Sequence, residues 1–427
     1  MNNYLQKPIL GCIADDFTGA SDLASFLVNS GLKTVQINRF PLDSELELEG
    51  YDAIVVALKT RTVDASDAVE TSLAALYWLQ GLGCRKYYFK YCSTFDSTPK
   101  GNIGPVIDAL LDALKLSSTI ICPALPVNDR TVYMGHLFVG DAPLNESPLK
   151  DHPLTPMQDS SVVRLIEAQG RGKAVNIPYH CIEGDEVYFK AALRAAAKNY
   201  RYIVLDTLST EHLERIGRNV DAFPLITGGS GLATNLTHEF AQYGWVANSV
   251  KNTTQQTDGP TLILSGSCSA MTQRQVADYK QAHPALYIDP FKLLNQSQTY
   301  EQILAWALQN KSAAPLIYTT SSKEVVDKVQ SEIGFEKSQV LLEGTLAKLA
   351  EDCIKAGFKN IIVAGGETSG AIVKRLDIPA FEIGQSVSPG VPILHSITPP
   401  IINLALKSGN FGDQTFFQSA LEKLTCR

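Results

Sequence analysis

Short apolar runs alternate along this chain with longer stretches of helical periodicity. Strand-like runs fall at 9–14, 34–37, 53–58, 86–89, 119–122, 202–205, 225–227, 261–264, 316–318, 360–364 and 401–406. Between several of them the 3.6-residue pattern predicts helices at 65–80, 161–168, 187–199, 269–281 and 343–356. Runs that are apolar on both faces, spaced by helices, predict parallel sheets covered on both sides, an α/β fold. One stretch, 248–259 (NSVKNTTQQTDG), has almost nothing apolar and reads as a linker. It divides the chain into residues 1–247 and 260–427, each expected to be a mostly parallel sheet flanked by helices. The active site is expected in the cleft between them.

The ends of the predicted strands share one chemistry. ADD closes the first run at 14–16, LKTR follows at 58–61, KYCSTFDST at 90–98 and TGGSG at 227–231. In the second half come SGSCS at 265–269, AGGETSG at 364–370 and LKSGNFG at 406–412. In open α/β sheets, ligands sit at the carboxyl ends of strands, so these ends are the candidate rims of a site. A second irregular piece, 140–160, carries four prolines and reads as a lid or as an arm reaching a partner subunit of a homodimer.

The first half supplies charges and hydroxyls. Asp15 and Asp16 stand together before a predicted helix. One aspartate suffices to cap it, so the pair points to a second role, with Asp16 meeting a substrate hydroxyl and Asp15 serving the cap or a metal. Lys59 and Arg61 at one strand end, and Lys90, Ser93, Thr94 and Asp96 at another, suit a small hydroxy acid. Cations would meet its carboxylate and short polar groups its hydroxyls. Gly229 and Ser230 could meet the substrate from the opposite side. The plainer alternative is a set of caps and surface lysines.

The second half supplies glycines instead. Ser265 and Ser267 flank one loop; Gly365, Gly366, Glu367, Thr368 and Ser369 open a helix after a strand; Lys407 and Gly409 belong to a third loop, where Lys407 adds a cation that could neutralise phosphate charge. Backbone N–H groups of such loops suit phosphates, and Glu367 could reach magnesium or a ribose. No GxxxxGK[ST], no strand-borne GxGxxG and no protein-kinase signature occurs.

Composition narrows the field little. At 427 residues, 45% hydrophobic and 19% charged, the chain is an ordinary globular protein long enough for two cores. A net charge of −7 argues against nucleic acid as a partner. No apolar run reaches membrane-spanning length, and the start does not read as a signal peptide, so a cytoplasmic protein is expected. The 8 cysteines form no CxxC pair and the 7 histidines no HxH or HExxH, so neither disulfides nor zinc are expected. His136 and His152 alone lie in or beside the long loop.

Taken together, IADDFTGASDLASFL, FKYCSTFDSTPKGNIGPV, CPALPVNDRTVYMGHLFVG, HPLTPMQDSSVVRLIEAQ, GGSGLA, GGETSGAIV and LKSGNFG resemble the four-carbon acid sugar kinases. That resemblance implies an N-terminal sugar-acid domain, a C-terminal nucleotide domain and ATP with magnesium as cofactors. It implies phosphorylation of the terminal C4 hydroxyl of a four-carbon sugar acid: a 3-oxo-tetronate first, with threonate or erythronate as alternatives. It places ATP on Ser265, the loop 365–369 and Gly409, and the sugar acid on Asp16, Arg61 and the segment 90–97. Two readings from other classes stay open, a nicotinamide-dependent oxidoreductase and a non-catalytic sugar-acid sensor.

Overall fold

The first apolar run forms strand β1 (Leu10–Ala14), buried along its whole length in a computed structural model. The structure describes residues 7–41, 46–151, 155–236 and 258–425. β1 pairs in parallel with β3 (Ala53–Ala57) on one side, after β2 (Thr34–Ile37), and with β4 (Lys86–Lys90) on the other. Ala14 faces Ala57 and Lys90 across the ladders, so the three strand ends lie level.

Next in the chain come β5 (Thr119–Cys122) and a separate antiparallel sheet of β6 (Arg130–Tyr133), β7 (His136–Val139) and β8 (Ala142–Pro143). β9 (Ala174–Ile177), β10 (Tyr202–Leu205) and β11 (Leu225–Gly228) complete the first unit. Its main sheet runs β2-β3-β1-β4-β11-β5-β10-β9, parallel throughout. The small antiparallel sheet was not expected.

The second unit opens with β12 (Thr261–Ser265), β13 (Ala285–Tyr287), β14 (Leu316–Tyr318) and β15 (Asn360–Ala364). β16 (Ala380–Ser388), β17 (Val391–Ser396) and β18 (Asn403–Lys407) follow. Here the order is β13-β14-β12-β15-β18-β17-β16, parallel as far as β18, with β17 and β16 antiparallel. Phe416 and Phe417 of the last helix close its core against Ile263, Ile362 and Val391. The chain divides into compact units Met1–Lys251 and Asn252–Arg427. Of the linker expected at 248–259, all but Asp258 and Gly259 lies outside the described residues.

Each sheet has a switch point at its first strand. β1 sends the chain to β2 and β3 on one side and later receives β4 on the other; β12 does the same with β13 and β14, then β15. At such a point the flanking connections part and leave a crevice at the carboxyl ends. The crevices lie between β1 and β4, and between β12 and β15.

Candidate active site

In the first crevice, charge is gathered on side chains. Asp16 has extended backbone and caps the helix Phe17–Asn29, accepting from the N–H of Gly19 at 3.0 Å. A cap of this kind contributes about 1 kcal/mol. The division expected from sequence is therefore corrected: the cap falls to Asp16, not Asp15. Asp15, buried, instead takes a two-point bond from Arg61, Nε to Oδ2 at 2.9 Å and Nη2 to Oδ1 at 2.8 Å. Nη2 also reaches Asp16 Oδ1 at 2.6 Å. Burial opposes the Arg61 charge, but Asp15 beside it holds the guanidinium protonated. Burial likewise pushes the Asp16 carboxyl up, against the pull of Arg61 and Lys90.

Lys90 ends β4 with only 3% of its surface exposed, and its Nζ donates to Tyr91 O at 2.8 Å. The ammonium lies against the first helical turn at Gly19. A Cβ there would stand 2.9 Å from Lys90 Nζ and overlap Asp16 Oδ1, so only glycine admits both groups. Thr94 donates to Asp96 Oδ1 at 2.6 Å and contacts Cys92 Sγ at 2.9 Å. Burial and the Asp96 charge push the Cys92 thiol up to about 11, although Arg61 and Lys90 pull it down. Ser93 lies beside Gly229, whose carbonyl accepts from the Tyr88 hydroxyl.

Ser230 hydrogen-bonds Asp22 Oδ2. Asp22 belongs to the same ADDFTGASD stretch as Asp16, yet sequence reasoning passed over it. Its signal was a single acidic residue inside a helix otherwise made of apolar and small residues. Lys59 is exposed and joins none of these bonds. His136 pairs with Ser160 in the small sheet at 2.9 Å, and His152 lies outside the described residues. The seven described cysteines are all free.

In the second crevice the backbone takes over. Gly365, at φ 132°, turns the chain from β15 into the helix Gly366–Leu376, and no side chain caps that helix. Its first N–H groups are thus open to an anion, favoured further by the helix dipole. By contrast, the helix Ala270–Tyr279 after β12 is closed by Ser269, which accepts from Thr272 N at 3.3 Å. A cavity of about 420 Å³ opens in front of the uncapped helix, lined there by Gly266, Ser267, Gly365, Gly366, Glu367 and Thr368. Its other wall is apolar, with Val325, Val326, Val329, Leu342 and Leu346 from the helices Lys323–Ile333 and Phe335–Lys355. A polar, N–H-rich end and an apolar end suit a nucleotide's phosphates and base. Sequence reasoning missed the apolar end.

Three expected ATP contacts are absent from the cavity lining. Ser265 is fully buried and pairs with Thr320 Oγ1 at 2.6 Å, and Ser369 is buried one turn into the helix. Gly409 sits behind Ser267, its carbonyl accepting from Ser269 Oγ at 2.7 Å, Thr272 Oγ1 at 2.7 Å and Lys407 Nζ at 2.8 Å. Lys407, expected as a cation for phosphate, is corrected to a loop staple. It is 1% exposed and donates to Thr272 Oγ1, Ser408 O and Gly409 O. Glu343 also lines the cavity, sharing a hydrogen bond with Glu367; burial and that neighbouring charge push its carboxyl up.

Two family models cover most of the chain: a sugar-binding N-terminal domain over residues 10–236 and a nucleotide-binding C-terminal domain over 262–417. A relative from Brucella melitensis, named 3-oxo-tetronate kinase, is 46% identical over 415 residues, 96% of this chain and 94% of its own. The chain belongs to the four-carbon acid sugar kinase family. Another member of that name, from Pectobacterium atrosepticum, is 47% identical over 418 residues, 96% of this chain and 98% of its own. The family fold recurs in a solved protein of Salmonella typhimurium LT2, TM-score 0.90 at 45% identity, covering 97% of this chain and 99% of that one. A Haemophilus influenzae protein gives TM-score 0.84 at 43% identity, covering 97% and 100%. No helix among the described residues is long and apolar enough to cross a membrane.

Proposed function

We propose that this chain is an ATP-dependent kinase that phosphorylates the C4 hydroxyl of 3-oxo-tetronate, giving the 4-phosphate and ADP. The observation that carries the reading is identity of 43–47% over nearly the whole length with proteins named 3-oxo-tetronate kinase. Residues 1–247 hold the sugar acid, 248–259 link, and 260–427 hold ATP in a cytoplasmic enzyme. The phosphates lie on the open N-terminus of the helix Gly366–Leu376, with Ser267 and Thr368 beside them. The base lies on the Val326–Leu342 side of the cavity.

In the first unit Lys90 meets the sugar-acid carboxylate. Arg61 has Nε and Nη2 engaged by Asp15 and Asp16, so its two-point face is already closed, whereas Lys90 spends one of three N–H groups on Tyr91. Asp16 accepts the C4 hydroxyl proton as the O4–phosphorus bond forms and the bond to the ADP oxygen breaks, a contribution of roughly 10²–10⁴-fold. Ser93, Thr94, Asp96, Gly229 and Ser230 surround the remaining hydroxyls.

Magnesium fits this donor set. Among the described residues no group of three or more His, Cys, Asp or Glu gathers, while Glu367 and Glu343 form a carboxyl pair on the cavity wall. Nucleotide-bound magnesium usually takes only one or two carboxylates, the rest being phosphate oxygens and water. When bound, it would neutralise charge developing on the transferred phosphoryl group.

A coupled ADP-release assay over 3-oxo-tetronate, threonate and erythronate tests the reading. Release with 3-oxo-tetronate at a kcat/KM at least tenfold above the others is expected. Preference for threonate or erythronate would reassign the substrate, and no ADP release with any of them would overturn the kinase.

A further inference from the structure

Asp22 is the one acid at the first crevice that the proposed reaction leaves unused. It lies on the helix Phe17–Asn29, three residues after Gly19 and therefore on the same face, the face against which Lys90 Nζ rests. Oδ2 is held by the Ser230 hydroxyl, which ties the helix to the loop after β11. Oδ1 is buried with no hydrogen-bond partner among the described residues. An unsatisfied buried carboxylate oxygen carries a desolvation penalty that calls for some compensation. A purely structural link to Ser230 would be served as well by an amide of the same shape. What an amide cannot supply is charge, and Lys90 is the foremost cation acting on Asp22, with Asp16 opposing from the same end of the helix.

We propose that Asp22 is a positioning residue of the sugar-acid site, its charge holding the Lys90 ammonium at the helix face and its Oδ2 holding Ser230. The inference rests on the kinase reading above. Asp22 and Asp16 both act on Lys90 through charge, and Gly19 leaves room for the ammonium against the first helical turn. That fixes an ammonium carrying two uncommitted N–H groups where the sugar-acid carboxylate arrives. Asp22 touches neither substrate nor ATP; it acts through Lys90.

The test is Asp22→Asn, assayed by ADP release, by calorimetric binding of 3-oxo-tetronate without ATP, and by thermal unfolding. The expected result is a KM and Kd for 3-oxo-tetronate raised at least tenfold, KM for ATP within twofold, and a lowered Tm, because the variant leaves the buried Lys90 ammonium without one of its opposing charges. Ser230→Ala, which frees Oδ2, is expected to shift the same sugar-acid constants in the same direction. Sugar-acid constants within twofold of wild type in Asp22→Asn would overturn the proposal, as would both KM values rising together. Wild-type enzyme that binds 3-oxo-tetronate but releases no ADP would defeat the kinase reading alone, and calorimetry would still judge Asp22. Wild type that neither binds nor turns over would defeat both.

Discussion

Gly19→Ala sets helix propensity against site geometry. Inside a helix, alanine is favoured over glycine by about 1 kcal/mol, so on local grounds the change stabilises. The new Cβ, however, would overlap Asp16 Oδ1 and lie 2.9 Å from Lys90 Nζ, where ordinary contact begins at 3.4 Å. Lys90 must therefore retreat by at least 3.4 − 2.9 = 0.5 Å, and the Asp16 carboxylate must swing off the Gly19 N–H. Both obstructing atoms are side-chain ends, so the backbone need not move. Losing the cap costs about 1 kcal/mol, which offsets the propensity gain. Tm should stay within roughly 3 °C of wild type. Activity should not: displacements approaching 1 Å in a positioned site cost about 10²-fold. We expect kcat/KM for the sugar acid to fall roughly 10- to 100-fold, with KM for ATP unchanged. Steady-state ADP release with both substrates varied, beside calorimetry, measures each part. A raised Tm with kcat/KM within twofold of wild type would refute the reasoning.

Three further outcomes follow from the two crevices. Asp16→Asn keeps the cap, since asparagine caps as well as aspartate; kcat should fall below a tenth of wild type at unchanged Tm, and a kcat above that would remove Asp16 as base. Gly366→Leu should raise KM for ATP at least tenfold without loss of Tm, because a Cβ at Gly366 has only Ser408 Oγ near it, at 4.0 Å; a change confined to the sugar-acid KM would mean the two units have exchanged roles. Burial brings Lys407 down to about 8 from an ordinary 10.5, so between these values the unfolded chain holds a proton that the folded chain has released. Stability from this group thus rises with pH across that window, by an amount on the order of 3 kcal/mol. In Lys407→Met, thermal unfolding measured from pH 8 to 10.5 should lack that rise, and an unchanged pH dependence would contradict it.

Where the sequence was legible, the reason was burial on both faces. β1, β3, β12 and β15 are buried from end to end, and their apolar stretches surface as runs without any partner information. β16 interrupts its apolar residues with Glu382, Gly384, Gln385 and Ser386, so no run marks it. Lys59 and Arg61 looked alike as two cations just past one strand end. The N–H groups of Thr60 and Arg61 both donate to Asp15 O, at 2.9 and 3.2 Å, and curl the chain so that Arg61 turns onto Asp15 while Lys59 stays in solvent. Lys407 misled for a different reason: it is the last residue of a central strand, and its fate depended on Thr272, distant in sequence. The apolar cavity wall was hidden because KEVVDKVQSEI is mostly polar and shows only the helix, not what it faces.

The same topology serves both crevices, and what differs is the source of polarity. A four-carbon acid carries one carboxylate and several hydroxyls in fixed directions, which calls for side chains of defined reach; triphosphate spreads its charge over many oxygens, which backbone N–H groups can meet without direction-specific partners. The first crevice accordingly holds Asp15, Asp16 and Asp22 against Arg61 and Lys90, and the second holds an uncapped helix. With these five groups and Asp96 charged, the first crevice is two negative charges in excess before an anionic substrate enters. The Arg61 charge is met by Asp15 and Asp16 within bonding distance, so the arriving carboxylate experiences Lys90 against Asp22 and an Asp16 already shared with Arg61. Burial raises both of these carboxyls, and Lys90 lowers both, after Arg61 in the case of Asp16. An incoming carboxylate that takes up part of the Lys90 charge weakens that lowering and raises them further. For Asp16 this is a gain, since a base of higher pKa draws the hydroxyl proton more strongly once the sugar acid is seated.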